Sequence, residues 1–358
     1  PPGKSRLEQN VKRLELLSRN CTPAVVLCDN DIRDVLTNRI TDEIQRAVLT
    51  QIENKTFQSD SLELLKANVI STTGINGSES ESIIVTADLQ DLTFLQYTSG
   101  STGNPKGVMV SHGCLTENSK NIKTYYHHNA ECVVASWLPQ YHDMGLIGSI
   151  LQPLYCQMIS VLCAPLHFLR QPMNWLKMIS QYRATSSGGP NFAFQLCVDS
   201  FSEEKIDGID LSSWKVAYCG AEPIQNDTVK QFIKTFSPYG LNPNAFFPVY
   251  GMAEHTLMIS AGTSGSLYNS ITIEKKDLSD NKVVEAQPSE SSQTYVCCGR
   301  ALDNHLIAIV DPETKNSLHD NQVGEIWAKG LSVAEGYWGN EKATKETFEA
   351  CTADGQGS

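Results

Sequence analysis

The chain has 358 residues, which is enough for one large or two medium domains with a sizeable core. Its formal net charge of −12 argues against general binding to nucleic acids or anionic membranes, and no uninterrupted apolar run is long enough for a transmembrane helix. Its 11 cysteines form no C-x-x-C pair, so we predict free thiols in a reducing cytoplasm rather than a disulfide framework.

Short β-prone segments alternate with helical segments along the first part of the chain. The predicted strands lie at 23–28, 67–70, 83–87, 132–137, 159–163 and 215–219. The predicted helices lie at 5–19, 31–48, 115–124, 172–182 and 225–236, and a further buried helix precedes the strand at 159–163. This alternation predicts an α/β fold with a mostly parallel sheet flanked by helices, which binds its ligands beyond the carboxyl ends of the strands.

The most informative segment follows the apolar run that ends at Tyr97. From Thr98 to Gly107 it contains four hydroxyl side chains, three glycines and one lysine. Glycines let the backbone approach a ligand closely, so successive N–H groups, the hydroxyls and Lys106 can surround phosphate oxygens. The candidate nucleotide-binding residues of this loop are Thr98, Ser99, Gly100, Ser101, Thr102, Gly103 and Lys106. The spacing is not that of a Walker A loop, and the alternative is a Gly/Ser-rich surface turn.

The whole string at 97–107 resembles the signature loop of the adenylate-forming superfamily, which includes acyl-CoA ligases, luciferases and nonribosomal adenylation domains. Residues 108–112 also resemble that superfamily, in which the loop leads into a short strand and a helix. The resemblance implies that the loop holds the β- and γ-phosphates of ATP and that Lys106 is catalytic. It also implies the fold of the large N-terminal domain of these enzymes, with β-sheets flanked by helices.

Two further motifs resemble the fatty acyl-AMP ligase branch of this superfamily. His142 and Asp143 lie in Pro-x-Tyr-His-Asp-Met-Gly-Leu-Ile-Gly beside a predicted helix start, where a helix cap is the alternative. Residues 187–192 contain Gly-Gly-Pro-Asn, where a Gly-Pro turn is the alternative. The resemblance implies that His142 is catalytic and that small glycines leave room for a lipid chain. The implied substrate-binding residues are His142, Asp143, Gly189 and Asn191.

Two strand ends carry motifs that the resemblance assigns to the nucleotide, with a plain turn as the alternative at both. Residues 217–223 resemble the superfamily's Gly-Ala-Glu-Pro segment, which packs along the adenine, and residues 249–256 resemble its Tyr-Gly-x-x-Glu motif. The resemblance implies that Tyr250 stacks on the adenine and that Glu254, as a catalytic residue, holds Mg²⁺. The implied cofactor-binding residues are Gly220, Ala221, Glu222, Pro223, Tyr250, Gly251 and Met252. His255 stands where the family has a small residue and could crowd or polarise the metal site.

The composition changes near residue 262, where a polar stretch rich in Ser, Lys, Asp and Glu begins. We therefore predict a partial α/β core at 1–262 and a smaller β-rich subdomain at 263–358. Residues 272–296 resemble the insertion of fatty acyl-AMP ligases, with an ordinary surface loop as the alternative. Residues 323–330 and 333–338 are predicted to form a hairpin. The family continues with a ribose-binding segment and a C-terminal domain that carries a catalytic lysine, so we expect a chain truncated at both ends.

The resemblance implies an enzyme that uses ATP and Mg²⁺ to convert a fatty acid to fatty acyl-adenylate, with release of pyrophosphate. The acyl group then passes to an acyl carrier protein or to a carrier domain of a polyketide or nonribosomal peptide synthase. A long-chain acyl-CoA ligase is the first alternative, and the segment at 272–296 favours the acyl-AMP ligase over it. A non-catalytic nucleotide- or lipid-binding module is the second, and Lys106 and Glu254 argue against it. No nucleic-acid partner is expected.

Overall fold

The computed structural model of the chain describes residues 13–14, 16–28, 68–72, 86–98 and 105–355. The predicted helix at 31–48 lies outside these residues, and the predicted strand at 83–87 lies largely outside them. The described residues fall into two compact units. The smaller draws on Pro1–Ala87, Tyr97–Val108 and Tyr337–Glu341, and the larger on Asp88–Gln96, Met109–Gly336 and Lys342–Ser358. The predicted domain boundary near residue 262 falls inside the larger unit and stays a prediction.

Four short strands precede the main sheet. Strands β1 (Val25–Cys28) and β2 (Asn68–Ser71) pair in parallel, and a helix that includes residues 16–21 precedes β1. Strands β3 (Leu92–Thr98) and β4 (Lys106–Ser111) form a second two-stranded sheet. The strands predicted at 23–28 and 67–70 are thereby confirmed.

The larger unit is built on one seven-stranded sheet. The described strands of this unit are β5 (Val133–Ser136), β6 (Ile159–Leu162), β7 (Ser186–Gly189), β8 (Val216–Cys219), β9 (Phe246–Gly251), β10 (Met258–Ala261), β11 (Ser270–Glu274), β12 (Ser292–Val296), β13 (Arg300–Ala301), β14 (His305–Val310) and β15 (Glu325–Gly330). Strand β11 with β12, and β14 with β15, form two small antiparallel sheets, and the other seven strands form the large sheet. The large sheet has the order β13-β10-β9-β8-β7-β5-β6.

The prediction of a mostly parallel sheet is confirmed, with an antiparallel edge added. Strands β9, β8, β7, β5 and β6 pair in parallel, whereas β10 and β13 are antiparallel. The short connection from β9 to β10 explains the change, because a parallel crossover needs a dozen residues or more. The five parallel strands therefore have their carboxyl ends at the same edge of the sheet.

Helices cover the sheet. The described helices are α1 (His112–Tyr125), α2 (Asp143–Leu146), α3 (Gln152–Cys156), α4 (Pro165–Arg170), α5 (Met173–Gln181), α6 (Asn191–Asp199), α7 (Asn226–Phe236), α8 (Lys275–Ser279) and α9 (Glu341–Phe348). A π-helical turn, Ile147–Leu151, joins α2 to α3, and short 3₁₀ turns lie at Glu203–Ile206, Ser237–Tyr239, Pro243–Ala245 and Ala253–His255. The helices predicted at 115–124, 172–182 and 225–236 are confirmed.

The core of the larger unit contains an aromatic cluster, which we define as Trp175, Phe194, Trp214 and Phe232. All four side chains are completely buried. The Trp175 ring lies 5.3 Å from both Phe194 and Trp214, edge to face. Both indole nitrogens also find acceptors in or beside the sheet, since Trp175 donates to Ser187 Oγ at 2.7 Å and Trp214 to the Val216 carbonyl at 2.9 Å. Burying one such ring contributes about 2–3 kcal/mol, so this cluster is a main source of stability.

The C-terminal strands form two ribbons, and one predicted pairing is wrong. Strand β11 pairs with β12 at the two ends of the segment 272–296, with α8 and irregular chain between them, and its identity as the family insertion stays a prediction. Strand β15 pairs with β14, not with residues 333–338. Those residues run beside β4 instead, where Met109 N–H donates to the Gly336 carbonyl at 2.9 Å and Trp338 N–H to Gly107 at 2.8 Å. Within the part of the chain described, no helix has the length and apolar character needed to cross a membrane.

Candidate functional site

Four of the predicted motifs meet at one edge of the large sheet. Residues 137–146 follow β5, residues 189–191 follow β7, residues 220–223 follow β8, and residues 250–254 end β9. These strands are parallel neighbours, and Cys219 of β8 stands level with Gly189 and with Pro248. Because the carboxyl ends of parallel strands share an edge, the structure brings these segments together in the place where α/β sheets bind ligands.

The turn at 220–223 is held in an unusual backbone conformation. Ala221 has φ of +68°, a left-handed geometry that costs a residue with a Cβ about 1–2 kcal/mol. A Cβ on Gly220 would lie 2.7 Å from the Val249 carbonyl oxygen, so glycine lets the ends of β8 and β9 approach closely. Strain of this kind persists only where the surroundings impose it, and it is typical of ligand-binding turns.

Two side chains of the edge tie this turn to helix α6. Glu222 accepts a hydrogen bond from the Phe192 N–H at 2.6 Å, and so caps a helix whose N-cap residue, Pro190, makes no capping bond. Asn191 Oδ1 accepts from the Gln225 N–H at 2.9 Å. The Asn191 amide nitrogen donates to no described residue. The contacts predicted for Glu222 with the nucleotide and for Asn191 with the substrate stay predictions.

The β11–β12 ribbon also contacts the segment that follows this turn. Gln225 forms a β-bridge with Tyr295, and the Tyr268 hydroxyl donates to Asn226 Oδ1 at 2.9 Å. The Tyr268 ring lies 5.5 Å from that of Phe246 in β9. Strand β12 and the segment before β11 therefore pack against the residues that begin α7.

The glycines of β7 allow two aromatic residues to pack closely against the backbone of the strand. A Cβ on Gly188 would lie 2.1 Å from the Tyr218 carbonyl oxygen, and one on Gly189 would lie 2.9 Å from the Trp137 ring. Aromatic residues thus pack beside both glycines, and the room for a lipid chain at this segment stays a prediction. The Trp137 ring stacks on Phe168 at 4.0 Å and is buried. Substrate binding by Gly189 stays a prediction.

His142 and Asp143 cap helix α2 and also contact each other. His142 is the N-cap residue of α2, and its Nδ1 lies 2.6 Å from Asp143 Oδ1. A contact that short needs a hydrogen on Nδ1, so the carboxylate is the acceptor for the Met144 N–H, also at 2.6 Å. The hydrogen bond to Asp143 raises the pKa of His142, while burial acts in the opposite direction. The imidazole remains about half exposed, so a ligand can reach it.

The Tyr250–Glu254 segment passes close to the Leu257 backbone at Gly251, where a Cβ would lie 1.8 Å from the Leu257 carbonyl oxygen. The phenol of Tyr250 is half-buried at the sheet edge, and its pKa is raised by burial first, then by the charges of Cys298 and Glu254. Tyr250 is therefore a neutral ring at neutral pH. The Glu254 carbonyl accepts from the Ala334 N–H at 2.9 Å, which fixes the backbone of the turn.

His255 does not face the predicted metal site. Its side chain is 1% exposed, and its Nδ1 lies 3.0 Å from Ser332 Oγ. The ring of His305 lies 4.9 Å away. Burial, followed by the nearby His305, lowers the pKa of His255 to about 4, so the ring is neutral at neutral pH. The expectation that His255 could crowd or polarise the metal is wrong, because the imidazole is turned into the interior.

The donor set at Glu254 fits a magnesium ion better than a transition metal. No group of three or more His, Cys, Asp and Glu side chains among the described residues could hold a metal. Mg²⁺ needs no such group, since it is commonly held by one or two carboxylates with phosphate oxygens of the substrate and water. A carboxylate at Glu254, with the imidazole of His255 directed elsewhere, is a donor set of that kind.

The smaller unit contains the flanks of the phosphate-loop motif. Thr98 ends β3 and Lys106 begins β4, which is the strand paired with it. Lys106 Nζ lies 4.7 Å from the centre of the Tyr337 ring, within range of a cation–π interaction. A Cβ on Gly107 would lie 3.0 Å from the Tyr97 ring, so this glycine is required for packing. Ser99, Gly100, Ser101, Thr102 and Gly103 lie outside the described residues.

Known proteins resemble this chain in sequence. The family described as AMP-binding enzyme matches residues 7–338. The medium-chain-fatty-acid–[acyl-carrier-protein] ligase TtuA of Teredinibacter turnerae is 42% identical over an alignment of 286 positions, which covers 78% of this chain and 44% of that protein. The corresponding ligase JamA of Moorena producens is 35% identical over an alignment of 360 positions, which covers 99% of this chain and 58% of that protein.

A solved structure shares the fold. The fatty acyl-adenylate ligase from L. pneumophila in complex with acyl adenylate and pyrophosphate has a TM-score of 0.80 and 37% identity, and covers 95% of this chain and 56% of that one. The chain thus spans about half the length of the relatives that it matches.

Proposed function

The chain belongs to the AMP-binding enzyme family, and we propose that it forms the binding core of a fatty acyl-AMP ligase. In this reaction a fatty acid and ATP give fatty acyl-adenylate and pyrophosphate, and the acyl group then passes to an acyl carrier protein. The observation that carries the proposal is the convergence of four family motifs on one carboxyl edge of the sheet. The relatives support it, since two of them are named as medium-chain-fatty-acid–[acyl-carrier-protein] ligases.

In this reaction the main task of the protein is to position charged groups. A carboxylate oxygen of the fatty acid forms a bond to the α-phosphorus of ATP, while the bond from that phosphorus to the pyrophosphate oxygen breaks. Holding both reactants in line, and neutralising the phosphates, accounts for most of the rate enhancement in such a reaction. We assign phosphate binding to the loop between Thr98 and Lys106 and adenine stacking to Tyr250. We place His142 near the acyl and nucleotide sites.

Glu254 is the residue that we propose to hold Mg²⁺. The bound ion would neutralise phosphate charge on the nucleotide. The residues of this chain have the simpler task of presenting one carboxylate on a turn whose backbone is fixed at Gly251 and at the Glu254 carbonyl.

The β11–β12 ribbon supports a carrier-protein acceptor over coenzyme A. It spans the segment of the predicted insertion, and its Tyr295 forms a β-bridge with Gln225, the residue before α7. We further propose that the protein works in a reducing compartment, the cytoplasm. All 11 cysteines lie in the described residues and all are free thiols, as that compartment would keep them.

The proposal is tested by measuring pyrophosphate release and acyl-adenylate formation with the longest natural polypeptide that contains these residues. Octanoic, dodecanoic and hexadecanoic acids serve as substrates, with coenzyme A and a phosphopantetheinylated carrier protein as competing acceptors. Lys106→Ala and Glu254→Ala should each lower kcat/KM at least about 100-fold, because both remove charge compensation at the phosphates. Lys120→Ala, at an exposed lysine on α1, is the matched control.

Three outcomes would contradict the proposed function or the role proposed for Lys106. Turnover with coenzyme A but not with the carrier protein would favour the acyl-CoA ligase. No acyl-adenylate with any fatty acid, from a folded protein that still binds ATP, would favour a non-catalytic binding module. Equal losses in Lys106→Ala and Lys120→Ala would remove the role assigned to Lys106.

A further inference from the structure

A buried polar cluster lies immediately behind the turn that carries Glu254. We define the Ser332 cluster as Asn118, His255, His305 and Ser332, whose exposed fractions are 0%, 1%, 5% and 0%. Its members come from α1, from the turn after β9, from β14 and from the segment after β15. The Ser332 hydroxyl is the common centre, with polar atoms of the other three residues between 2.7 and 3.1 Å away.

The hydrogen position on His305 follows from its partners. Its Nδ1 lies 2.7 Å from the Asp303 carbonyl oxygen, and a carbonyl can only accept. The hydrogen of a neutral His305 ring is therefore on Nδ1, and Nε2 is an acceptor. The Ser332 hydroxyl, 2.7 Å from that Nε2, must then donate to it.

The hydrogen position on His255 follows in turn. Ser332 has a single hydrogen, which is used by His305, so its oxygen can only accept from its other two partners. It accepts from the Asn118 side-chain amide at 3.1 Å and from His255 Nδ1 at 3.0 Å. His255 thus carries its hydrogen on Nδ1. Its Nε2 is a buried lone pair that finds no hydrogen-bond partner among the described atoms.

The same cluster fixes the backbone on both sides of Glu254. The Thr256 hydroxyl donates to the Ser332 carbonyl at 2.7 Å, and the Ala334 N–H donates to the Glu254 carbonyl at 2.9 Å. Thr256 itself has φ of +68°, a conformation that a β-branched residue adopts only when its surroundings impose it. The segment after β15 therefore clamps the turn at three places, and the His255 side chain is one of them.

We propose that His255 is a positioning residue, whose Nδ1–H bond to Ser332 sets the orientation of the turn that presents Glu254 to a magnesium–nucleotide complex. The inference rests on the role proposed above for Glu254. An imidazole reaches Ser332 from this position, whereas the small side chain that the sequence resemblance predicts here could not.

Two substitutions at one position test this. His255→Asn places an amide N–H where Nδ1–H stands and removes the unpartnered Nε2, whereas His255→Ala removes both. Magnesium is titrated into chain and ATP in a calorimeter. His255→Ala should raise the half-saturating magnesium concentration about tenfold, and His255→Asn should keep it within about twofold of the unsubstituted chain. Ser332→Ala removes the partner and keeps the histidine, so it should raise the half-saturating magnesium concentration as much as His255→Ala does. It replaces His255→Ala in the test if that variant does not fold.

An independent readout is the tautomer. Nitrogen-15 spectra of the histidine-labelled chain should show His255 with hydrogen on Nδ1 and a bare Nε2, and Ser332→Ala should alter that signal. A hydrogen on Nε2 of His255, or a magnesium titration unchanged in both His255→Ala and Ser332→Ala, would overturn the inference. Both measurements are binding or spectroscopic, so an absence of acyl-adenylate formation would count against the proposed function and leave this result standing.

Discussion

The aromatic cluster and the Ser332 cluster are both buried in the larger unit, but they are held together by different forces. Rings such as Trp175 and Phe194 contribute through the area they remove from water, which does not depend on direction. The Ser332 cluster contributes only if each donor meets an acceptor, because an unpaired buried polar group is costly. The first cluster therefore stabilises the fold, and the second specifies one geometry for the turn beside Glu254.

The largest expected effect is in the aromatic cluster. Trp175→Ala removes a fully buried ring that contacts Phe194 and Trp214, and leaves a cavity. We expect the free energy of unfolding to fall by about 3–5 kcal/mol in denaturant titrations. Leu154→Ala, at a side chain that is 71% exposed, is the control and should change it by less than about 0.5 kcal/mol. A loss below about 1.5 kcal/mol for Trp175→Ala would show that the cluster is not a main source of stability.

The second prediction compares two buried asparagines on α1. Asn118 bonds both backbone groups of Met258 and the Ser332 hydroxyl, whereas Asn121 bonds only its own helix at Glu117. Asn118→Ala leaves several partners unpaired and should cost about 3 kcal/mol, against about 1 kcal/mol or less for Asn121→Ala. Equal losses in thermal or chemical unfolding would mean that the directional network adds nothing beyond burial.

His128 is a buried polar side chain beside aromatic rings, and so combines a feature of the aromatic cluster with one of the Ser332 cluster. Neither ring nitrogen finds a partner among the described residues, and burial lowers the pKa of His128 to about 4. Below pH 6.5 the unfolded chain binds a proton that the folded chain does not, so stability is present above that pH and is lost as the pH falls towards 4. At pH 5 this loss is about 2 kcal/mol. His128→Leu should reduce the loss, as measured by unfolding at pH 7 and pH 5.

A fall in stability between pH 7 and pH 5 that is identical in the unsubstituted chain and in His128→Leu would contradict this. His142 should behave in the opposite direction, because its pKa is raised by Asp143. Its contribution is present below pH 6.5 and is lost as the pH rises through the raised pKa, so its substitution leaves the acid loss in place.

The smallest expected effect is at the ligand edge. Asn191→Ala removes the acceptor for the Gln225 N–H and should weaken binding of an acyl-adenylate analogue about fivefold, which is about 1 kcal/mol. Asn191→Asp keeps that acceptor and should stay within about twofold. A larger loss with Asp than with Ala would instead place Asn191 against a negative charge of the ligand.

The fold was largely predictable where a segment shows its own periodicity or composition. The apolar strand at 215–219 and the amphipathic helix at 225–236 are examples, since their local pattern agrees with their burial. Strand β7 could not be found in this way, because Ser-Ser-Gly-Gly has no β-branched or aromatic residue. It is a central strand because its glycines let Tyr218 and Trp137 pack against the backbone. Likewise, nothing local shows that residues 333–338 pair with β4 rather than with β15.

Some residues of the candidate site could likewise be predicted from the sequence, and others could not. Motifs such as those at Tyr250 and His142 are contiguous in sequence, so their positions at the sheet edge followed from the order of the strands. The Ser332 cluster joins residues from separate segments, with no motif around Ser332 or His305. The only signal was His255 itself, a polar residue in place of a small one. Long-range hydrogen bonds of this kind depend on tertiary packing, which local pattern does not encode.

The most direct test of the central claim is the binding of a non-hydrolysable lauroyl-adenylate analogue to the chain, measured by calorimetry. We expect saturable binding, and we expect Tyr250→Ala to weaken it about tenfold because the stacking ring is lost. Tyr182→Ala, at a half-exposed tyrosine on the end of α5, is the control and should leave binding unchanged. Equal weakening by both substitutions, or no saturable binding even by the longest natural polypeptide containing these residues, would contradict the assignment of this sheet edge to a fatty acyl-adenylate.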